Sequence, residues 1–178
     1  ALELDLVEAA TRSADASGRL KILLEKYSAT NPGMRFALHG GSADAGKELF
    51  YNHVNAQCVR CHSIGSQAPG VGPDLAGIGE KYDRTYLLES LVEPSKVIAQ
   101  GFELLTLVKT DGSTVAGTLT GESAAEVTVS TASGEAVSTP KSEIKERTSL
   151  NVSSMPPMLG ILTKRELRDL VAYLAALK

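Results

Sequence analysis

Cys58, Cys61 and His62 form a CxxCH motif, which constrains this chain more than any other feature of its sequence. The two cysteines are the only ones among its 178 residues. The spacing suits covalent attachment of haem c, because each thiol can add to one vinyl group and the adjoining imidazole can then ligate the iron. The motif therefore predicts one covalent haem c, attached through Cys58 and Cys61 and ligated by His62.

Three other interpretations of the motif are weaker. A disulfide between the cysteines would close a small ring and add little loop-closure entropy. A thioredoxin-like redox pair would need a helix after the motif, but residues 63–70 are rich in serine and glycine. A zinc site needs about four ligands, and His39 and His53 lie upstream without zinc-finger spacing. We expect His53 at a helix end, either on the surface or supporting the site.

Composition and charge limit the partners of the chain. The formal net charge of -3 at pH 7 argues against nucleic acid and offers no basic patch for a membrane surface. No apolar run is long enough to cross a membrane, so we expect no direct membrane insertion. Aromatic residues make up 4% of the chain and tryptophan is absent. A bound porphyrin would supply much of the large apolar surface that these residues do not.

The location of the protein follows from the motif. Haem c is normally attached outside the cytoplasm, so we expect a periplasmic or otherwise extracytoplasmic protein. The first residues lack the regions of a signal peptide, which predicts a mature product or an excised domain. Residues 1–38 predict an N-terminal helical extension. This extension either packs on the domain as a helical hairpin or is the tail of a preceding domain.

Helical patterns dominate both ends of the region 39–178, which we expect to form the haem domain. A short helix is predicted over about residues 43–55. A second is predicted over about 84–92, with Asp83 as its N-cap. The last helix is the clearest, because Thr163 and Glu166 form a capping box and a leucine-rich stripe follows them.

The pattern changes to β between residues 101 and 150. Short, mostly alternating stretches are separated by turn residues such as Asp111-Gly112; they cover about 102–108, 114–120, 126–131, 135–139 and 144–148. We therefore predict an α+β fold, a mainly α haem domain with a small antiparallel insertion of four or five strands. The insertion either braces the loop after it, presents a docking surface, or only elaborates the scaffold.

The second axial ligand decides what a haem does. The candidates are Met34, Met155, Met158, His39 and His53, or no residue at all. Met155 precedes two prolines, which fix φ and stiffen the loop that would hold its thioether against the iron. Met34 and Met158 fit the usual role of methionine as a residue that fills gaps in a core. Met155 is therefore the favoured ligand.

Several motifs occur in order along the chain: Gly46-x-x-Leu49-Phe50, Cys58-x-x-Cys61-His62, Gly72-Pro73-Asp74-Leu75, the Met155 loop and the terminal amphipathic helix. Together they resemble the class I cytochrome c plan. More specifically, through further pieces such as Glu93-Pro94-Ser95, residues 40–178 are similar to the planctomycete and verrucomicrobial type of haem-binding domain. That domain is usually found at the C-terminus of large proteins that also contain dehydrogenase-like, β-propeller or helical-repeat regions.

The resemblance implies roles for single residues. The cofactor-binding set is Cys58, Cys61, His62, Pro73, Leu75 and Met155. His62 is the proximal and Met155 the distal metal ligand. The Pro73 carbonyl accepts the Nδ1–H of His62 and fixes the ring, and Leu75 packs on the haem. Gly46 lets the first helix cross closely over the last, with Phe50 against Leu170 or Tyr173.

These roles predict a function. With His62 and Met155 both bound, the iron has no open position, which leaves one-electron transfer and no turnover by the domain itself. The resemblance implies a redox partner protein or a fused dehydrogenase domain as electron donor. The alternative is a haem-based gas sensor or a peroxidase-like protein, in which the distal Met155 is displaceable and the iron position opens.

Overall fold

The computed structural model describes Leu4 and residues 37–65, 71–131 and 133–178. The N-terminal extension expected over residues 1–38 lies almost wholly outside these ranges, as does Met34. The described residues form a mixed α+β structure with four α-helices and one five-stranded antiparallel sheet. The α+β class is as predicted from the sequence.

Four α-helices are numbered in chain order: α1 (Ala43–Asn52), α2 (Ile78–Lys81), α3 (Arg84–Val92) and α4 (Lys164–Ala176). Side chains cap three of them: Ser42 caps α1, and Asp83 and Thr163 cap α3 and α4 as predicted. The Asp83 carboxylate accepts from the third backbone N–H after it and begins α3. Thr163 and Glu166 form the expected capping box of α4. The prediction placed the end of α1 about three residues too late, because His53 takes an extended conformation and caps the helix.

The helices share one apolar core, built around the crossing of α1 and α4. A Cβ added to Gly46 would overlap the backbone carbonyl of Asp169, so the crossing needs glycine there. The Phe50 and Tyr173 rings pack beside it, with their centroids 5.8 Å apart. Both contacts agree with what the resemblance implies. Other buried members of this core are Leu87, Leu88, Leu91, Val92, Met158, Leu162, Leu167, Leu170, Val171 and Leu174.

The sheet occupies the β-rich region between α3 and α4. Its strands are β1 (Leu104–Lys109), β2 (Thr114–Glu122), β3 (Glu126–Ser130), β4 (Ala136–Pro140) and β5 (Ile144–Leu150). The order is β4-β3-β2-β1-β5, and every neighbouring pair is antiparallel. Leu104 lies opposite Leu150, so the chain enters and leaves the sheet at neighbouring positions.

The sheet has an apolar core of its own. Leu105, Leu107, Val127 and Val129 are buried, and the partly buried side chains that pack on them also belong to the strands. A sheet must bury its apolar face against something, and the buried side chains here pack on other side chains of the same sheet. The predicted number of strands, four or five, and their approximate limits agree with the structure.

Glu122 at the end of β2 connects distant parts of the sheet. Its carboxylate accepts hydrogen bonds from Arg147 Nη1 on β5 at 2.9 and 3.0 Å. It also lies 2.8 Å from Lys141 Nζ, in the turn between β4 and β5. These hydrogen bonds, with the Arg147 bond the stronger cause, lower the pKa of Glu122 to about 2.

We expect this carboxylate to make stability depend on acid pH. Its folded-state pKa lies below its ordinary value of 4.5. Its contribution to the free energy of unfolding is therefore complete above about pH 4.5 and is lost as the pH falls through about 2. Urea unfolding across this range should show wild type losing more stability than Glu122→Gln as pH falls. Glu126→Gln, which removes an exposed carboxylate on β3, is the control and should follow wild type. Parallel curves for wild type and Glu122→Gln would contradict the prediction.

Candidate functional site

The CxxCH motif follows α1 on a tight turn. Residues Cys58–Arg60 form one turn of 3-10 helix. The Cys58 carbonyl accepts the backbone N–H groups of Cys61 at 3.1 Å and of His62 at 2.9 Å. The two thiols are partly exposed and are not joined in a disulfide. Backbone hydrogen bonds thus hold both thiols and the imidazole in one compact turn, as attachment of a single group through all three requires.

The His62 ring is fixed from two sides. Its Nδ1 lies 2.9 Å from the carbonyl oxygen of Pro73. Gly72 lies against the ring, since a Cβ there would come within 2.7 Å of His62 Cε1. A carbonyl can only accept, so Nδ1 carries the proton and Nε2 presents its lone pair. The structure therefore places Pro73 as the resemblance implies. Gly72, to which the sequence assigned no role, supplies the space.

Burial also keeps this imidazole in the form that binds metal. It lowers the pKa of His62 below the ordinary value, and the hydrogen bond to Pro73 only partly opposes that shift. The ring is therefore neutral at physiological pH. A neutral imidazole whose Nδ1–H is held by a carbonyl is the usual arrangement of a metal-ligating histidine.

Asp74 ties the loop that carries Pro73 to the motif. Its carboxylate accepts from the Ser63 hydroxyl at 2.6 Å, from Ala76 N–H at 2.8 Å and from Gly65 N–H at 3.2 Å. The Ser63 carbonyl in turn accepts from Leu75 N–H at 2.8 Å. The sequence analysis assigned no role to Asp74 or Ser63. The sequence did carry a signal for Asp74, because an aspartate in a loop often accepts the backbone N–H two residues later, as in an Asx turn.

An apolar cluster joins the motif to the rest of the predicted site. The partly buried side chains that pack against the helical core include Cys58, Ile64, Leu75, Ile78 and Met155. The structure thus brings Leu75 and Met155, which are far apart in the sequence, to the same core as the motif. Apolar walls of this kind suit a porphyrin.

The two described methionines differ in their surroundings. Met158 is 3% exposed and belongs to the helical core. Its backbone carbonyl accepts from the N–H groups of Ile161 and Leu162. Met155 is only partly buried, at the border of the core. The role of core filler expected for Met158 agrees with its burial, and Met155 is the described methionine whose side chain remains partly accessible.

The two other histidines do not resemble ligands. His39 is exposed. His53 Nδ1 accepts the Ala56 N–H at 3.0 Å, and its Nε2 lies 3.8 Å from Glu166 Oε1. His53 therefore connects the end of α1 to the start of α4. It supports the fold next to the motif, and a role in supporting the site itself stays a prediction.

The structure also bears on the zinc and redox interpretations. Within the described ranges, no three His, Cys, Asp or Glu side chains lie together as a metal site. Burial raises the pKa of the Cys58 thiol above its ordinary value. Redox-active cysteines need the opposite shift, because the thiolate is the reactive form. The residues present fit two thioether attachments and one imidazole ligand.

Comparison with known proteins finds a similarity for this part of the chain. Residues 43–110 match the model of the cytochrome c family. The matched segment includes α1, the CxxCH motif, the Pro73 loop, α2 and α3. Met155 and α4 lie beyond it. No curated protein matches the chain.

The match indicates a haem-binding electron-transfer protein and implies covalent haem c, in agreement with the spacing of Cys58, Cys61 and His62. Proteins of this type are typically extracytoplasmic. Among the helices that the structure describes, none is both long and apolar enough to span a bilayer. The planctomycete and verrucomicrobial subtype stays a prediction.

Proposed function

We propose that this protein is an electron-transfer c-type cytochrome with one covalent haem whose axial ligands are His62 and Met155. The observation that carries the proposal is the 2.9 Å contact between His62 Nδ1 and the Pro73 carbonyl, directly after a CxxCH turn. This contact presets the ring for ligation through Nε2. When bound, haem supplies one-electron chemistry between Fe(II) and Fe(III).

The residues of the chain position the group and control its surroundings. Cys58 and Cys61 tether it through thioethers, and the turn that holds them also carries His62. Leu75 and the helical core exclude water from the apolar wall. Met155, on a separate loop, would supply a thioether as the second iron ligand. Because residues of the chain fill both ligand positions while the Met155 loop is closed, the domain relays electrons and has no turnover of its own.

The electron donor and the location are parts of the same proposal. Attachment of haem c outside the cytoplasm supports a periplasmic or otherwise extracytoplasmic protein. The resemblance to C-terminal domains of dehydrogenase-like proteins supports a redox partner protein or a fused dehydrogenase domain as donor. A gas sensor or a peroxidase-like protein is the second candidate, favoured by the partial exposure of Met155.

Mass spectrometry and carbon monoxide together test the proposal. Protein matured with a haem-attachment system should weigh the polypeptide plus one haem. Cys58→Ala combined with Cys61→Ala should weigh the polypeptide alone. The spectrum of the reduced wild type should not change under CO, because both axial positions are filled. A bare-polypeptide mass would overturn haem attachment, and rapid CO binding or peroxide turnover would instead support the second candidate.

A further inference from the structure

The Met155 loop, residues 151–157, connects β5 to the 3-10 turn Met158–Gly160. We propose that the β-sheet braces this loop through a hydrogen bond from Thr118, which makes Thr118 a positioning residue for the Met155 thioether. The inference rests on the proposed function in one respect, that Met155 ligates the iron. It assigns the sheet a role in keeping that ligand in place.

Thr118 lies in the middle of β2 and is 1% exposed. Its Oγ1 donates a hydrogen bond to Ser154 Oγ at 3.2 Å. Ser154 directly precedes Met155, and 36 residues separate it from Thr118. A buried hydroxyl cannot exchange this partner for bulk water at low cost. The bond therefore connects the loop to a rigid point inside the sheet.

Other contacts hold the loop on its remaining sides. Ser153 N–H donates to Ser95 Oγ at 3.1 Å, in the turn that follows α3. Met155 N–H donates to Ser153 Oγ at 3.2 Å. After the loop, Met158 is buried in the helical core. The sheet, the exit of α3 and the helical core thus each hold one part of a segment whose two prolines already restrict it.

The consequence concerns the fraction of time that Met155 is displaced. An exogenous ligand can reach the distal position only while the loop is open, so its apparent affinity rises in proportion to the open fraction. Removing one neutral hydrogen bond that exists only in the closed loop should raise that fraction about fivefold. The same change should speed hydrogen exchange of the loop amides.

The test uses imidazole as the probe, added to the ferric holoprotein of the full chain. Thr118→Val removes the hydroxyl and keeps the shape, and should lower the dissociation constant of imidazole about fivefold. Hydrogen exchange of the amides of residues 152–155 should rise to a similar extent. Thr118→Ser keeps a hydroxyl and should remain near wild type. Ser154→Ala removes the same bond from the exposed side and should reproduce Thr118→Val, even where that variant folds poorly.

Thr128→Val is the matched control, because Thr128 Oγ1 and Ser138 Oγ form a similar bond of 2.7 Å elsewhere in the sheet. It should leave both measurements unchanged. Wild-type values for Thr118→Val and Ser154→Ala, or an equal effect of Thr128→Val, would overturn the bracing role.

Failure of the ligand assignment would be distinguishable from failure of the bracing role. If Met155→Ala binds imidazole no more tightly than wild type, then Met155 is not the ligand. The hydrogen-exchange measurement would still decide whether Thr118 braces the loop, because it does not depend on the iron.

Discussion

Replacing Met155 with alanine is expected to open the distal iron position while the protein remains folded. The variant should lose the thioether-to-iron charge-transfer absorption at the red end of the spectrum, and its reduced form should bind CO. The free energy of unfolding should fall only slightly through lost packing, because the Met155 side chain is only partly buried. Optical spectra of the oxidised protein and of the reduced protein under CO measure both effects.

Met158→Ala is the matched variant, and the opposite result is expected from it. Met158 is 3% exposed in the helical core, so its truncation should cost about 2–5 kcal/mol through lost burial and a residual cavity. The charge-transfer band should survive, and CO should not bind. If the two variants exchanged these results, Met158 would be the ligand. If both variants kept the band, neither methionine would be.

Gly46→Ala should strongly destabilise the crossing of α1 and α4. The added Cβ would overlap the Asp169 carbonyl and approach Tyr173 Cβ to 2.7 Å. Since backbone atoms cannot rotate out of the way, α1 and α4 must separate, at an expected cost of about 3 kcal/mol. The higher helix propensity of alanine, worth about 1 kcal/mol, opposes this cost but is smaller.

Urea unfolding measures this cost, with Gly160→Ala as control. Gly160 has open space where its Cβ would lie and no positive φ. It should therefore accept alanine with little change in the free energy of unfolding. A Gly46→Ala protein as stable as wild type would show that the two helices do not cross as closely as the structure indicates.

The amino-acid sequence predicts this structure best where the signal is local. The Thr163 capping box and the Asp83 cap mark helix starts through side chains three residues from their partners. Alternation and turn residues located the strands within two or three residues. Two local features were missed. Helix α2 spans only Ile78–Lys81, too short for a periodic pattern to show, and the end of α1 depends on the extended conformation of His53.

The residues of the proposed haem site also fall into two groups, those that the local sequence predicts and those that depend on tertiary packing. Side-chain chemistry and spacing within five consecutive residues identify Cys58, Cys61 and His62, because attachment and ligation need those groups adjacent in the chain. The ring orientation depends on Pro73, whose role the resemblance implied, and on Gly72, whose role appeared only in the structure. The choice between Met155 and Met158 depends on which of them the core buries.

The sequence by itself predicted the prosthetic group that this chain suits, its two attachment points and its first iron ligand. Only the tertiary structure connected the sheet to the Met155 loop, through Thr118 and Ser154. The physical reason is how far apart in the sequence the interacting residues lie. Covalent spacing and capping act within one turn of chain, whereas a hydrogen bond across 36 residues exists only after both segments have packed.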